Sequence, residues 1–237
     1  EALMKFFVFD IDDTLYDLKD PFVMAFEKMF GYLPHDIDDL FLDFRKYNNQ
    51  IYDKALNGQI TMTQMCNYRA QKSFYDYGII LDESSAQKFQ RTYESVKNNI
   101  TVNKHILDLM DRLKSNNIPM GIITNGPTYD QNMKIDYLGL RSYFDPDLIL
   151  VSEEVGFHKP DKAIFDEMKN RICHKYNCPS PEIYYMGDSY DNDIVGAKKA
   201  AYNTIWLNHR RVAPLDLSVV DYHLTSYSSI SILMDIF

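Results

Sequence analysis

The chain has few cysteines and few basic residues, and each shortage excludes a class of protein. Three cysteines in 237 residues, Cys66, Cys173 and Cys178, are odd in number and follow no motif spacing. They support neither a disulfide framework nor a cysteine zinc site, and they fit a reducing cytoplasm. Lys and Arg number 25 against 34 Asp and Glu, which gives a net charge of −9. Because affinity for nucleic acid comes mainly from clustered Lys and Arg, we expect no nucleic-acid partner.

The chain also lacks long apolar runs, internal repeats and low-complexity segments. No apolar segment approaches the length of a membrane span, so no membrane partner is expected. The N-terminus does not show the succession of a basic region, an apolar stretch and a cleavage site. We therefore expect no signal peptide and a cytoplasmic location. With 46% hydrophobic residues, the chain can bury the core of one large domain or two modest ones.

Short apolar runs are present, and they predict buried strands. The run FFVF at 6–9 is aromatic and β-branched without polar alternation, which favours a parallel strand buried on both faces over a buried helix. Helical stretches separate four later runs. The runs are MGII at 120–123, LILVS at 148–152, IYYMGD at 183–188 and TIWL at 204–207, and the stretches lie near 106–113, 161–175 and 191–200. Strands that alternate with helices predict an α/β fold with a parallel sheet covered on both faces.

Residues 17–95 follow a different pattern. Met, Tyr and Phe recur there at helical spacing, and no strand-like run interrupts them. The pattern predicts helices at 21–30, 39–56, 63–77 and 84–97. We therefore expect an all-helical module at 17–95, inserted into an α/β domain formed by residues 1–16 and 96–237.

Polar residues with matching chemistry follow the predicted strands. Asp10 and Asp12 follow the first run, Thr124-Asn125-Gly126 the second and Asp188 the fourth, whereas Lys159 precedes a helix that starts near Pro160. In an open parallel sheet, ligands bind outside the carboxyl ends of the strands. The pattern therefore predicts that these side chains meet in one crevice.

The residue types in this set indicate magnesium and a phosphoryl group. Carboxylates without His or Cys favour Mg²⁺ over Zn²⁺. A lysine, a hydroxyl and backbone amides at a helix start can bind phosphoryl oxygens. Each part alone has a structural alternative: a turn at 124–126, a solvated Lys159, a helix cap at Asp188, or Asp13 and Thr14 capping a turn. Asp193 either orients a metal-bound water or Lys159, or caps the following helix.

Four motifs in this order resemble the haloacid dehalogenase-like (HAD) hydrolase superfamily. They are DIDDT at 10–14, TNG at 124–126, KP at 159–160 and GDSYDND at 187–193. The resemblance implies a doubly wound, Rossmann-like parallel sheet, and the inserted module is similar to the family's first class of helical cap. Four further segments are most similar to the pyrimidine-type nucleoside 5'-monophosphatases: ALNGQITMTQ, GIITNGPT, SEEVGFHKPDKAIF and WLNH.

The resemblance also implies a role for each motif residue. Asp10 would be the nucleophile that forms an aspartyl-phosphate, and Asp12 would protonate the leaving oxygen and then deprotonate water. Mg²⁺ would be held by the Asp10 carboxylate, the Asp12 backbone carbonyl and Asp188. Phosphoryl oxygens would be bound by Thr124, Asn125, Gly126 and Lys159.

The expected function is therefore magnesium-dependent hydrolysis of a phosphomonoester, with a small soluble metabolite as the substrate. A nucleoside 5'-monophosphate is the favoured substrate. Asp12 favours phosphate chemistry over dehalogenation, since a departing halide needs no proton. Two alternatives remain, a sugar-phosphate mutase and a binding protein that kept the fold without activity. The loop at 57–63 contains no Lys or Arg to hold the second phosphate of a mutase substrate.

Overall fold

The computed structural model describes residues 3–237 and divides into two compact units. One unit contains Thr101–Phe237 together with the N-terminal segment up to Asp17, and the other contains Leu18–Ile100. The sequence placed these limits at 16/17 and 95/96. Residues 1 and 2 of the predicted α/β domain lie outside the described residues.

The first unit is built on one six-stranded parallel sheet with the order β3-β2-β1-β4-β5-β6. The strands are β1 Lys5–Phe9, β2 Met120–Thr124, β3 Ile149–Val151, β4 Glu182–Gly187, β5 Asn203–Leu207 and β6 Tyr222–Leu224. Five of them coincide with the predicted apolar runs, which confirms the α/β fold class. The sixth is a three-residue edge strand whose sequence, Tyr-His-Leu, carries no apolar run.

The second unit is all helical, as predicted. Its helices are α1 Lys19–Phe30, α2 Ile37–Leu56, α3 Met62–Asp76 and α4 Glu83–Val96, followed by a 3₁₀ turn at Lys97–Asn99. The side chain of Asp82 caps α4, and Thr61 and Gln64 form a capping box at the start of α3. Phe22, Phe74 and Phe89 are fully buried against one another, so these rings form the unit's own core.

Helices cover both faces of the sheet in the first unit. They are α5 Lys104–Ser115, α6 Thr128–Tyr137, α7 Ser152–Val155, α8 Lys162–Tyr176 and α9 Gly196–Lys199. A π-helical turn, Tyr190–Val195, leads into α9. No helix within residues 3–237 combines the length and the apolar character needed to cross a bilayer.

The order of the strands places a crevice beside β1. The chain passes from β1 to β2 on one side of β1 and reaches β4 on the other, so the winding direction reverses between β1 and β4. Ligands bind at this reversal, outside the carboxyl ends of the strands. Phe6 to Phe9 are at most 1% exposed, so β1 is a fully buried strand that delivers the following residue, Asp10, to the crevice.

Candidate active site

Asp10 and Lys159 form a buried ion pair at this crevice. The backbone N–H of Asp10 donates to the carbonyl of Met186 at 2.9 Å, so the residue still follows the register of β4. The Lys159 Nζ lies 2.6 Å from Asp10 Oδ1, and the side chains of Lys159 and Asp10 are 4% and 7% exposed. The structure thus brings together two residues that are 149 positions apart in the sequence. The sequence pattern predicted this contact, because both side chains were expected in the crevice outside the strand ends.

The ammonium of Lys159 has a partner for each of its three hydrogens. It donates to Asp10 Oδ1 and Asp193 Oδ1, both at 2.6 Å, and to the Tyr185 hydroxyl at 3.1 Å. Burial alone would lower the pKa of Lys159, but the negative charges of Asp10 and Asp193 outweigh it and the pKa is raised. Lys159 is therefore a fixed positive charge at neutral pH.

The carboxylates around Lys159 carry more negative charge than its ammonium group can neutralise. Burial raises the pKa of Asp10 to about 7, with Lys159 opposing the shift and Asp193 and Asp12 adding to it. Burial also holds the pKa of Asp188 well above its ordinary value, and the charges of Asp13 and Asp193 act in the same direction. A pocket that confines several carboxylates with one ammonium favours a second cation.

The carboxylates fit a divalent cation that prefers oxygen ligands. Asp10, Asp188 and Asp193 each offer an oxygen, and these oxygens lie within 4.8 Å of one another. Asp193 already accepts from Lys159, from Tyr185 at 3.0 Å and from the Ser189 backbone N–H at 3.0 Å. Asp10 and Asp188 therefore suit a hard cation such as Mg²⁺, whereas Asp193 holds Lys159.

Asp12 lies beside this group and is held by other side chains. The Lys134 Nζ approaches its two carboxylate oxygens at 2.7 and 2.6 Å, and the Tyr16 hydroxyl donates to Oδ1 at 2.6 Å. The Gln131 amide adds a longer contact of 3.4 Å. These donors fix the direction of the Asp12 carboxylate.

The TNG motif at Thr124, Asn125 and Gly126 holds neighbouring segments of the site in place through hydrogen bonds. The Thr124 hydroxyl donates to Gln131 Oε1 at 3.0 Å, and the Gly126 N–H donates to the Ser152 hydroxyl at 3.0 Å. The Asn125 amide donates to the Lys159 carbonyl at 2.9 Å and accepts from the Lys159 N–H at 2.8 Å. Asn125 therefore holds the backbone of the residue whose side chain meets Asp10.

The π-helical turn carries Asp193 inward, where the sequence predicted an ordinary helix over 191–200. The wider turn lets the buried Asp193 reach the Ser189 N–H with one oxygen and Lys159 with the other. A Cβ on Gly187 would overlap the Asp193 carboxylate, so only glycine fits at the end of β4. The contacts of Asp193 at the site therefore favour a π-helical turn over a regular α-helix in this segment.

Several side chains that contact the site were not predicted from the sequence: Tyr16, Gln131, Lys134, Ser152 and Tyr185. Gln131 and Lys134 are three positions apart on α6 and thus share a helix face close to the TNG motif. That spacing was a signal that could have identified them. Tyr185 lies within an apolar strand run, and a buried tyrosine in such a run indicates an ordinary core residue.

Comparison with known proteins decides the family. The family model described as haloacid dehalogenase-like hydrolase matches residues 7–207. The chain belongs to this family. The match confirms the predicted family. It also confirms the predicted enzyme class, because the family model describes hydrolases and the relatives of the chain include phosphatases.

Two of the following curated relatives match the hydrolase over most of its length, and a third matches about half. It is 30% identical to pyrimidine 5'-nucleotidase YjjG of Escherichia coli strain K12 over 207 residues, which is 87% of each chain. Pyrimidine 5'-nucleotidase PynA of Streptococcus pneumoniae is 24% identical over 229 residues, 95% of this chain and 93% of that protein. A glyceraldehyde 3-phosphate phosphatase of Methanothermobacter thermautotrophicus is 33% identical over 118 residues, 46% of this chain and 50% of that protein.

A solved structure confirms the fold of the hydrolase. The putative HAD-hydrolase YfnB of Bacillus subtilis, in a structure bound to magnesium, superposes with a TM-score of 0.66 and 24% sequence identity. The comparison covers 99% of this chain and 100% of that one. At this identity the likeness establishes the α/β core and the helical insertion.

Proposed function

We propose that the protein is a magnesium-dependent phosphomonoester hydrolase that acts through an aspartyl-phosphate on Asp10. One observation carries the proposal: a buried Asp10, 2.6 Å from the Lys159 ammonium, with a second carboxylate two residues later on Asp12. A dehalogenase needs only the first of these two carboxylates, because a halide leaves without a proton. The presence and fixed orientation of Asp12 therefore support transfer of a phosphoryl group to and from Asp10.

The reaction would take place in two displacements. An oxygen of Asp10 attacks the phosphorus while Asp12 gives a proton to the departing alkoxide oxygen, which releases the alcohol. Asp12 then takes a proton from water, the water oxygen attacks the phosphorus, and the bond to Asp10 breaks to release inorganic phosphate. Lys159 balances the charge of Asp10 and of the phosphoryl oxygens in both displacements.

The remaining motif residues would hold the ion and the phosphoryl group. Mg²⁺ would be held by the Asp10 carboxylate, the Asp12 backbone carbonyl and Asp188. When bound, the ion supplies positive charge to the phosphoryl oxygens. Thr124, Lys159 and the backbone amides of Asn125 and Gly126 would bind those oxygens, and Asp193 would keep Lys159 in place.

A nucleoside 5'-monophosphate is the proposed substrate class. Two relatives that match over most of their length, YjjG and PynA, are named pyrimidine 5'-nucleotidases, which supports this class. We assign selection of the leaving group to the helical unit. The three cysteines are free thiols, which supports a cytoplasmic location.

A panel of phosphate esters, assayed with magnesium and with a chelator, tests the proposal. We expect free phosphate from at least one nucleoside 5'-monophosphate with magnesium and none with the chelator. Asp10→Asn should lower kcat by about 10³-fold or more, because it removes the nucleophile. Asp108→Asn, which changes an exposed aspartate on α5, serves as the matched control.

Three outcomes of this panel would contradict the proposal. Substantial turnover by Asp10→Asn would exclude Asp10 as the nucleophile. An isomerised sugar phosphate with little free phosphate would indicate a mutase. No reaction with any ester would indicate a binding protein.

A further inference from the structure

The loop that carries Asp10 and Asp12 contains a third aspartate in an unusual conformation. Asp13 has a φ of +60°, in the left-handed region that non-glycine residues rarely adopt. Its side chain is only 9% exposed. A buried carboxylate in a strained backbone conformation needs partners that hold it.

Arg210 supplies that partner. Its guanidinium forms a fork on Asp13, with Nε 3.0 Å from Oδ2 and Nη2 2.7 Å from Oδ1, and Nη2 also donates to Asp17. The arginine is itself 17% exposed. His209 Nε2 lies 2.9 Å from the Asp13 carbonyl oxygen, so two consecutive residues hold both the side chain and the backbone of Asp13.

These contacts connect the catalytic loop to a distant part of the chain. Arg210 lies 197 residues after Asp13, in the loop after β5. It also lies beyond residue 207, where the match to the family model ends. Arg210 holds both Asp13 and Asp17, which lie at the two ends of the segment after Asp12. The fork therefore fixes the loop directly after the proposed acid–base residue.

We propose that Arg210 is a positioning residue for the active site, an inference that rests on the proposed function. By holding Asp13, it fixes the backbone that presents the Asp12 carboxylate and the Asp12 carbonyl. It also balances the negative charge of the buried Asp13 carboxylate. Only arginine can do both, because its planar fork binds two carboxylate oxygens at once and lysine offers a point charge.

Removal of the fork and its chemical rescue test the inference. In Arg210→Ala, we expect kcat to fall by about 10- to 100-fold, with a smaller change in KM, because the catalytic loop loses its fixed geometry. Amide hydrogen exchange in residues 8–17 should become faster. Millimolar guanidinium chloride should restore part of kcat and slow the exchange again, whereas sodium chloride at equal ionic strength should not.

The adjacent Arg211 provides a matched control, since it is exposed and its replacement by alanine changes the net charge equally. If Arg210→Ala and Arg211→Ala have equal kcat and equal exchange in residues 8–17, the inference is wrong. If Arg210→Ala does not fold, Arg210→Lys takes its place, and full kcat with unchanged exchange in that variant overturns the inference. If the wild type hydrolyses no ester, the proposed function fails, and faster exchange reversed by guanidinium still decides whether Arg210 holds the loop.

Discussion

Lys134 defines the geometry of Asp12 at the scale of single residues. Its ammonium contacts both carboxylate oxygens, and an acid–base residue is effective only when its carboxyl points at the reacting oxygen. We expect Lys134→Met to lower kcat by about 10- to 100-fold while KM changes little. Steady-state kinetics on the best ester of the panel will measure both constants.

Lys162→Met is the control for this variant. Lys162 is exposed and paired with Asp166 on α8, so its replacement removes the same charge at an exposed position. Equal kcat values for Lys134→Met and Lys162→Met would contradict the role of Lys134.

Asp10 makes magnesium binding depend on pH. Burial raises its pKa to about 7, and the cation binds the ionised carboxylate, so a proton competes with the ion below that pH. We expect the affinity for Mg²⁺ to rise between pH 5.5 and 7, by up to about tenfold per pH unit for the proton that Asp10 loses. Isothermal titration calorimetry across this range measures the effect. An affinity that does not change with pH would show that Asp10 binds the ion without losing a proton.

The residues of the site differ in how far the sequence reveals them. Asp10, Lys159 and Asp188 follow or flank apolar runs, and the rule for parallel sheets was enough to bring them together. Lys134 and Arg210 are ordinary members of a helix and a loop, and they contact residues 122 and 197 positions away. Only the folded chain shows such pairings, because a local pattern such as the spacing of Gln131 and Lys134 indicates a shared helix face but not the distant residue that this face contacts.

At the scale of elements, the π-helical turn and the end of β4 depend on each other. The turn places the Asp193 carboxylate where a side chain on Gly187 would lie. We expect Gly187→Ala to lower the free energy of unfolding by about 1–3 kcal/mol and to reduce kcat, because either Asp193 or β4 must move. Urea unfolding and steady-state kinetics measure the two effects.

Gly121→Ala, on β2 of the same sheet, is the control. A Cβ there meets the backbone carbonyl oxygen of Leu148 at 3.0 Å and the end of the flexible Met168 side chain at 3.1 Å, whereas a Cβ on Gly187 would lie 2.4 Å from Asp193. It should therefore change kcat less than Gly187→Ala does. The opposite order would contradict the assignment of Asp193 to the support of Lys159.

Elements with a clear pattern were predicted, and elements shaped by the site were not. The five apolar runs became strands, and helices α1 to α4 begin and end within two residues of the predicted limits. The segment 191–200 has helical composition, but the reach of Asp193 towards Lys159 makes it a π-helical turn and a short helix. Helix α6 was missed because its apolar positions are few and its buried face carries Gln131.

At the scale of the whole molecule, cation binding should stabilise the fold. The pocket gathers Asp10, Asp188 and Asp193 in a chain whose net charge is already −9, and a bound divalent ion relieves their repulsion. An ion that binds only the native state at about 100 times its Kd adds about 2.7 kcal/mol. We therefore expect magnesium to raise the Tm by about 5 °C or more, and a chelator to reverse the rise.

Asp188→Asn should abolish this rise in Tm, because it removes a ligand of the ion. Asp191→Asn, at an exposed position in the same turn, should retain it. Differential scanning calorimetry of both variants with and without magnesium makes the comparison. A rise in Asp188→Asn as large as in the wild type would place the ion elsewhere.

Trp206 connects this chemistry to an optical signal. It is the single tryptophan of the chain, it is fully buried, and its indole N–H donates to the carbonyl of Asp188 at 2.8 Å. Its ring stacks on His223 with the centroids 4.8 Å apart. The emission of one native fluorophore therefore reports on the backbone of a proposed magnesium ligand, without any label and without background from a second indole.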